Sequence, residues 1–361
     1  MSEQTIPPLT CLYFYLTEGC NLRCRHCWIN PPYEPMEPIH PCISPELFRD
    51  IIGQAAEIGL EAVKLTGGEP LLNPDIRGIL EEIRSAGLRL IVETNATLCT
   101  PELAAAMAGA KHPFVSVSID SPLAAEHEWV RGVPGCFDAA LEGIRQLREA
   151  GIRPQIIMSV MRRNCGRIGE LIRFAIEHGA GSVKLNPVVA TARGEQIERE
   201  QGLLSIEELI RLGEKVVGEF ALNSPIPVIF SLPPAFSPLS AVCSGCQGGN
   251  CNIFNILGVL GSGRYALCGI GETVPEMVFA DARRTPLVEV WREHPVLRRL
   301  RRDLPDALEG VCAACVMRER CLGYCVAHTY HASGRLTAPN RFCQQAFEAG
   351  LFPPGRLRPR N

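Results

Sequence analysis

Six short runs rich in apolar, β-branched and aromatic residues recur along the N-terminal half of the chain: Leu12–Thr17, Ala62–Thr66, Leu88–Glu93, Phe114–Ile119, Pro154–Val160 and Val183–Val189. Most read as apolar throughout, the pattern of strands buried on both faces of a parallel sheet. The intervening stretches have helical periodicity instead. Leu47, Ile51, Ile52, Ala55 and Ile58 share one helical face, as do Phe137, Ala140, Leu141, Ile144 and Leu147, and both stripes predict helices packed on a sheet. Ser44-Pro45, Asn73-Pro74 and Thr100-Pro101 each put a capping side chain before a proline at the first helical position, where the missing N–H costs nothing. Gly59, Gly87, Gly151 and Gly179 mark helix ends, and Ser205 with Glu208 predicts a capping box. Six strand–helix units at intervals of about 30 residues predict an α/β fold, a partial TIM-like (β/α)6 barrel over residues 10–222.

Prolines 225, 227, 233, 234 and 238 then predict an extended connection over residues 223–240. Residues 241–346 form a cysteine-rich domain in which Ile253–Leu260 and Tyr265–Cys268 flank Gly261-Ser262-Gly263, as a hairpin should. Residues 347–361 are left as a tail, disordered from Arg356 onward. Arg298, Arg299, Arg301 and Arg302 read as a solvated helix face, and Trp291 as a packing residue. With 46% hydrophobic and 21% charged residues the chain can bury a core. Its 36 basic and 39 acidic residues leave a net charge of -3 and no electrostatic case for nucleic acid. No apolar tract is long enough for a membrane span and the first ten residues lack signal-peptide character, so the expected location is cytoplasmic.

The 17 cysteines change the picture. In a chain with no export signal they argue for metal ligation rather than disulfides. Cys20, Cys24 and Cys27 form a C-x3-C-x2-C loop directly after the first strand. Three thiolates can hold three irons of a cubane and leave the fourth without a protein ligand. A structural zinc would need a fourth ligand, and His26, between two of the cysteines, is badly placed to supply it.

This loop resembles the radical SAM superfamily, and the likeness continues at later strand ends. Thr66-Gly67-Gly68-Glu69-Pro70 looks like the GGEP motif that holds the methionine amino group of S-adenosylmethionine (SAM). Glu93-Thr94-Asn95 and Ser118-Ile119-Asp120 stand where the family places polar contacts to the ribose. Arg131 resembles an arginine that approaches the SAM carboxylate, and His26 occupies the position whose backbone meets the adenine. The resemblance implies SAM-binding roles for His26, Gly67, Gly68, Glu69, Thr94, Asn95, Ser118 and Arg131, and cluster ligation by Cys20, Cys24 and Cys27.

The order Cys251, Gly263, Cys268, Cys312, Cys315, Cys321, Cys325, Cys343 resembles the SPASM domain of peptide- and protein-modifying radical SAM enzymes. It implies two auxiliary 4Fe-4S clusters, three in all. One would use Cys251, Cys268 and Cys325 with Cys246, or Cys243 in its place, and the other Cys312, Cys315, Cys321 and Cys343. The local alternative is a pair of zinc-ribbon sites. Cys11, Cys42, Cys99, Cys136 and Cys165 are left as small, mostly buried hydrophobes.

By resemblance, a 5′-deoxyadenosyl radical made from SAM would take a hydrogen atom from an unactivated carbon, and the auxiliary clusters would accept the further electron. The expected function is that of a maturase making an intramolecular C–C or C–S cross-link, or a related oxidation, in a ribosomal precursor peptide. The barrel starts close to the N-terminus, so a separate leader-peptide-binding protein is an expected partner, alongside flavodoxin or ferredoxin as electron donor. A sulfatase (formylglycine) maturase or a peptide epimerase is the alternative within the superfamily. The first usually carries an Asp after the cysteine where this chain has Gly269, with Glu272 the next carboxylate. A non-catalytic zinc-binding module is the alternative from another class.

Overall fold

All six expected runs become strands: β1 (Cys11–Tyr15), β2 (Ala62–Thr66), β3 (Arg89–Thr94), β4 (Lys111–Ser118), β5 (Gln155–Val160) and β6 (Ser182–Pro187). This is a computed structural model describing residues 6–239 and 251–359. The strands pair in parallel, each with the next. Between them run α1 (Pro45–Ala56), α2 (Ile76–Ser85), α3 (Pro101–Ala108), α4 (Ala124–Arg131), α5 (Cys136–Glu149) and α6 (Ile168–Glu177), followed by α7 (Gly194–Arg199) and α8 (Ile206–Lys215). This is the α/β partial barrel that the pattern predicts.

The strands are not apolar on both faces. Leu12, Phe14, Val63, Leu65, Val183 and Leu185 are fully buried in one core with Phe48, Ile51, Ile79 and Leu147 of the helices. Their alternate neighbours Tyr13, Lys64, Glu93 and Lys184 retain accessible surface. The helices cover only the outer face, so the inner face lines a lumen and can be polar.

Caps fix where the helices begin. Ser44 Oγ accepts from Leu47 N–H and Thr100 Oγ1 from Leu103 N–H, each at 3.3 Å, and Ser205 with Glu208 forms the expected capping box. Asn73 differs: its Oδ1 accepts from Asp75 N–H, while its Nδ2 donates to Leu16 O and Ile43 O, so it staples a turn to the end of β1. Such a long-range role is invisible to a local capping rule.

The proline-rich connection contains a seventh parallel strand, β7 (Val228–Phe230), beside β6. The hairpin of the cysteine-rich region, β8 (Ile256–Val259) and β9 (Arg264–Ala266), joins the same sheet. β8 pairs in parallel with β1, and β10 (Val278–Asp281) pairs antiparallel with β9. Among the described residues the sheet therefore has ten strands, β10-β9-β8-β1-β2-β3-β4-β5-β6-β7, and backbone hydrogen bonds weld the cysteine-rich region to the barrel.

Trp291 is buried and its Nε1 donates to Pro7 O at 3.0 Å. Arg298, Arg299 and Arg302 pair on the surface with Glu293 or Asp303, but Arg301 stacks on the Trp291 ring and is half-buried. The expected disorder from Arg356 onward is not seen among the described residues 356–359. Arg358 N–H donates to Ala314 O, Leu357 bridges Cys315, and the Arg356 guanidinium donates to Ala235 O and Ser237 O. Arginine hydrogen bonds to carbonyls tie down a segment whose composition alone looked unstructured. Among the described residues no helix is long and apolar enough to cross a membrane.

Candidate functional site

β1 delivers the chain to the C-terminal edge of the sheet, where a loop carries the three N-terminal cysteines. Cys20 N–H donates to Pro32 O and Glu34 N–H to Cys20 O, closing the loop on itself. Glu34, fully buried, accepts from Ile39 N–H and His40 N–H. The end of α4 holds the other side, with Arg23 N–H donating to Arg131 O and Arg25 N–H to Val130 O. Arg193, which the motifs did not single out, clamps the loop from beyond β6. Its side chain donates to Cys24 O, Asn30 Oδ1 and Pro31 O, and its backbone N–H to Cys27 O. The signal that could have found it is only an arginine after a strand end.

All three thiols are free. Burial raises the Cys20 pKa, and the neighbouring Cys24, Glu69 and Cys27 charges add to it. Burial also raises Cys24, against the pull of Arg131, whose Nη1 lies 3.5 Å from Cys24 Sγ. Arg131 Nε is 2.7 Å from Asp120 Oδ2, and both groups are buried. Asp120 also accepts from Ser159 N–H. Burial drives His26 down to about 4, so it is a neutral imidazole, and its Nδ1 has no hydrogen-bond partner. Replacing Arg131 with methionine is expected to leave Asp120 buried and unpaired, at a cost of about 3–5 kcal/mol. Denaturant unfolding under anaerobic conditions measures it, and an unchanged midpoint would contradict the ion-pair argument.

The Gly67-Gly68 turn presses against this loop. Gly68 N–H donates to Thr17 O and Glu69 N–H to Gly19 O, and a Cβ on Gly68 would fall 1.7 Å from Gly19 O. Only glycine permits that approach. The buried Glu69 carboxylate accepts from Leu71 N–H, Thr94 Oγ1 and Asn95 N–H, tying β2 to the end of β3. Burial lifts Glu69 to about 7 although these hydrogen bonds favour its ionised form. Asn95 Nδ2 donates to Asn21 Oδ1, and Asn21 Nδ2 to Thr97 Oγ1, so Asn95 anchors the cysteine loop. Gly68, Glu69 and, through Asn21, Asn95 thus lie on the Cys20 side and Arg131 on the Cys24 side, while Ser118 is half-buried at the end of β4 with no contact to the loop among the described hydrogen bonds.

The C-terminal cysteines fall into two groups. Cys251, Cys268 and Cys325 lie close enough to shift one another electrostatically. Cys246 and Cys243 lie outside the described residues. Burial alone would raise Cys325, but the charge of His328 beside it outweighs that and holds the thiol below its ordinary pKa. Trp28, next to Cys27, meets His328 edge-on at 6.1 Å and so spans the barrel loop and this group. Cys312, Cys315, Cys321 and Cys343 line a second cavity with Pro233 and Phe352. Asn340 N–H and Met317 N–H point at Cys312 Sγ and Cys315 Sγ, each at 3.4 Å, the kind of backbone donor that tunes iron–sulfur centres.

This donor set fits iron–sulfur clusters. Among the described residues no three His, Cys, Asp or Glu side chains close on one point as the ligands of a single ion do. A zinc would hold each sulfur at about 2.3 Å. Groups of three and four cysteines with no carboxylate or imidazole ligand suit iron–sulfur clusters, and the barrel cysteine loop lies against the Gly67-Gly68 turn. Of the leftover cysteines, Cys99 and Cys136 are buried, and Cys11, Cys42 and Cys165 half-buried.

A partial barrel with a three-cysteine loop at its strand ends and an appended multi-cysteine region defines a class of SAM-cleaving iron–sulfur enzymes. A sequence model of the radical SAM superfamily matches residues 14–175. The AdoMet-dependent heme synthase of Methanosarcina barkeri is 30% identical, covering 91% of this chain and 94% of its own length. The PqqA peptide cyclase of Gluconobacter oxydans is 25% identical, covering 97% of each. Among solved structures, SuiB of Streptococcus suis bound to S-adenosylmethionine superposes with a TM-score of 0.74 at 18% identity, covering 94% of this chain and 78% of SuiB. The chain belongs to the radical SAM superfamily, whose members use a 4Fe-4S cluster and SAM.

Proposed function

We propose that the chain is a peptide maturase that oxidises a ribosomally made precursor to an intramolecular C–C or C–S cross-link or a related product. The observation that carries this reading is the gathering of seven C-terminal cysteines into two groups, one joined to the barrel cysteines through Trp28 and His328. Cys20, Cys24 and Cys27 would hold the SAM-binding cluster. Cys251, Cys268, Cys325 and Cys246 would hold one auxiliary cluster, and Cys312, Cys315, Cys321 and Cys343 the other. When bound there, such a cluster would supply the electron for reductive cleavage of SAM. The chain's own residues would position SAM: the Gly67-Gly68 backbone would receive the cosubstrate, while Arg131 and Asp120 fix the cysteine loop. A flavodoxin or ferredoxin and a separate leader-binding protein complete the proposed system. SuiB, which shares the fold, has been solved bound to precursor peptide SuiA.

Formylglycine formation fits less well. A Cβ at Gly269 would fall 2.3 Å from Tyr15 Cε1, so the Tyr15 ring occupies the space an aspartate there would need. A second reading, oxidation of a tetrapyrrole, is favoured by the 30% identity to a heme synthase. Co-expression with a short open reading frame beside the gene, followed by mass spectrometry, tests the two. A loss of about 2 Da from the peptide, two hydrogens removed as the auxiliary centres accept electrons, supports the maturase. An unchanged peptide together with a new porphyrin absorption band replaces it with the tetrapyrrole reading.

A further inference from the structure

We propose that the barrel lumen holds a carboxylate-binding site, formed by the Lys184 ammonium beside the Lys64–Glu93 pair, and that the substrate docks there through an acidic side chain. This rests on the peptide reading and deepens it, committing the precursor to an aspartate or glutamate near the reacting carbon.

The strand alternation puts these groups inside. Val63, Leu65, Val92, Val183 and Leu185 are fully buried against the helices, so Lys64, Glu93 and Lys184, one position away along the same strands, face the lumen. Parallel pairing aligns Tyr13 with Lys64, and Ser118 with Ile157 and Ile157 with Lys184. Lys64 Nζ is 2.7 Å from Glu93 Oε1 and 4.7 Å from the centre of the Tyr13 ring. Lys64 and Glu93 keep 18% and 37% of their side-chain surface accessible. That surface faces the lumen.

Lys64 has its partners: Glu93 is paired with it, and Cys251 and Cys268 also feel its charge. Among the described residues Lys184 has no carboxylate within 4 Å, and Glu93 is the acid that acts on it. Burial pulls the Lys184 pKa below the ordinary lysine value, with Glu93 pulling the other way. A cation held inside a fold without a partner is costly, and strand neighbours such as Ile157 and Ile229 show that an apolar residue fits this face. A ligand carboxylate would supply the missing partner, and Ser118 and Ser159 stand on the same face as hydroxyl donors.

The test uses the cluster-loaded enzyme with SAM, kept oxidised and anaerobic, and reads ligand contact by saturation-transfer NMR. The probes are N-acetyl-glutamate N-methylamide, its glutamine counterpart and glutarate. The glutamyl probe is expected to bind at least about tenfold more tightly than the glutaminyl one, as a hydrogen-bonded charge pair should. Lys184→Met is expected to erase that preference and Lys184→Arg to keep it, with iron content and circular dichroism unchanged. Should Lys184→Met not fold, the wild-type comparison of the two amides decides alone. Equal binding of both, binding of neither, or a preference unaffected by Lys184→Met overturns the site. Glutarate separates this from the peptide reading: if it binds through Lys184 while no peptide changes mass, the carboxylate site stands and the peptide substrate falls.

Discussion

Alanine at Cys20, Cys24 and Cys27 together is expected to remove about four irons per chain, one cubane's worth, and to abolish release of 5′-deoxyadenosine from SAM under strong reductant. The three thiols sit on a loop fixed by Pro32 O, Arg131 O, Val130 O and the Arg193 side chain, so their placement does not depend on bound metal alone. Loss of the thiols should therefore remove chemistry while leaving the barrel folded, as circular dichroism would report. Cys136 is the control. It packs in one cluster with Cys20, Leu22 and Cys24, so it is the cysteine to test as a fourth ligand. Cys136→Ala is expected to change neither iron content nor deoxyadenosine yield. If it removes iron, the centre has four protein ligands and no vacant corner. If the triple variant still makes deoxyadenosine at the parental rate, SAM cleavage does not occur at this loop.

The outer half of the architecture was legible because it is local. Ser44, Thr100 and Ser205 cap the helices their sequences predict, and the apolar stripes of α1 and α5 face the sheet. The cysteine spacings were legible for a similar reason, since ligands on one loop must be near one another whatever the fold does. What sequence could not supply were relations between distant segments. The welding of β8 to β1 depends on edge pairing between residues some 240 positions apart. Asn73 looked like a cap because its function, bonding Leu16 O and Ile43 O, requires knowing that three loops meet. The strand runs looked apolar on both faces because isolated lysines and glutamates, Lys64, Glu93 and Lys184, were absorbed into otherwise hydrophobic strings. Arg193 and the ordered tail share that explanation, since guanidinium bonds to carbonyls leave no pattern in composition.

Replacing Cys312 and Cys343 with alanine separates the proposed radical step from the later removal of the second electron. Cys312 and Cys343 pack beside Pro233 and Phe352, whereas Cys325 approaches the barrel loop through His328 and Trp28. Losing their cluster is expected to remove about four irons, and deoxyadenosine should still form. Product carrying the oxidative modification should not accumulate, because the second electron would have lost one of its exits. Stability should fall as well. Cys312, Cys315, Cys321 and Cys343 draw together the segment Gly310–Ala314, the helix Arg341–Glu348 and, through the Cys315–Leu357 bridge, the tail. A metal that staples short helices contributes to folding itself. Anaerobic thermal unfolding alongside product analysis distinguishes two roles. A lower transition with an intact product yield makes this cluster a structural staple, whereas a lost yield at an unchanged deoxyadenosine rate makes it part of the electron path.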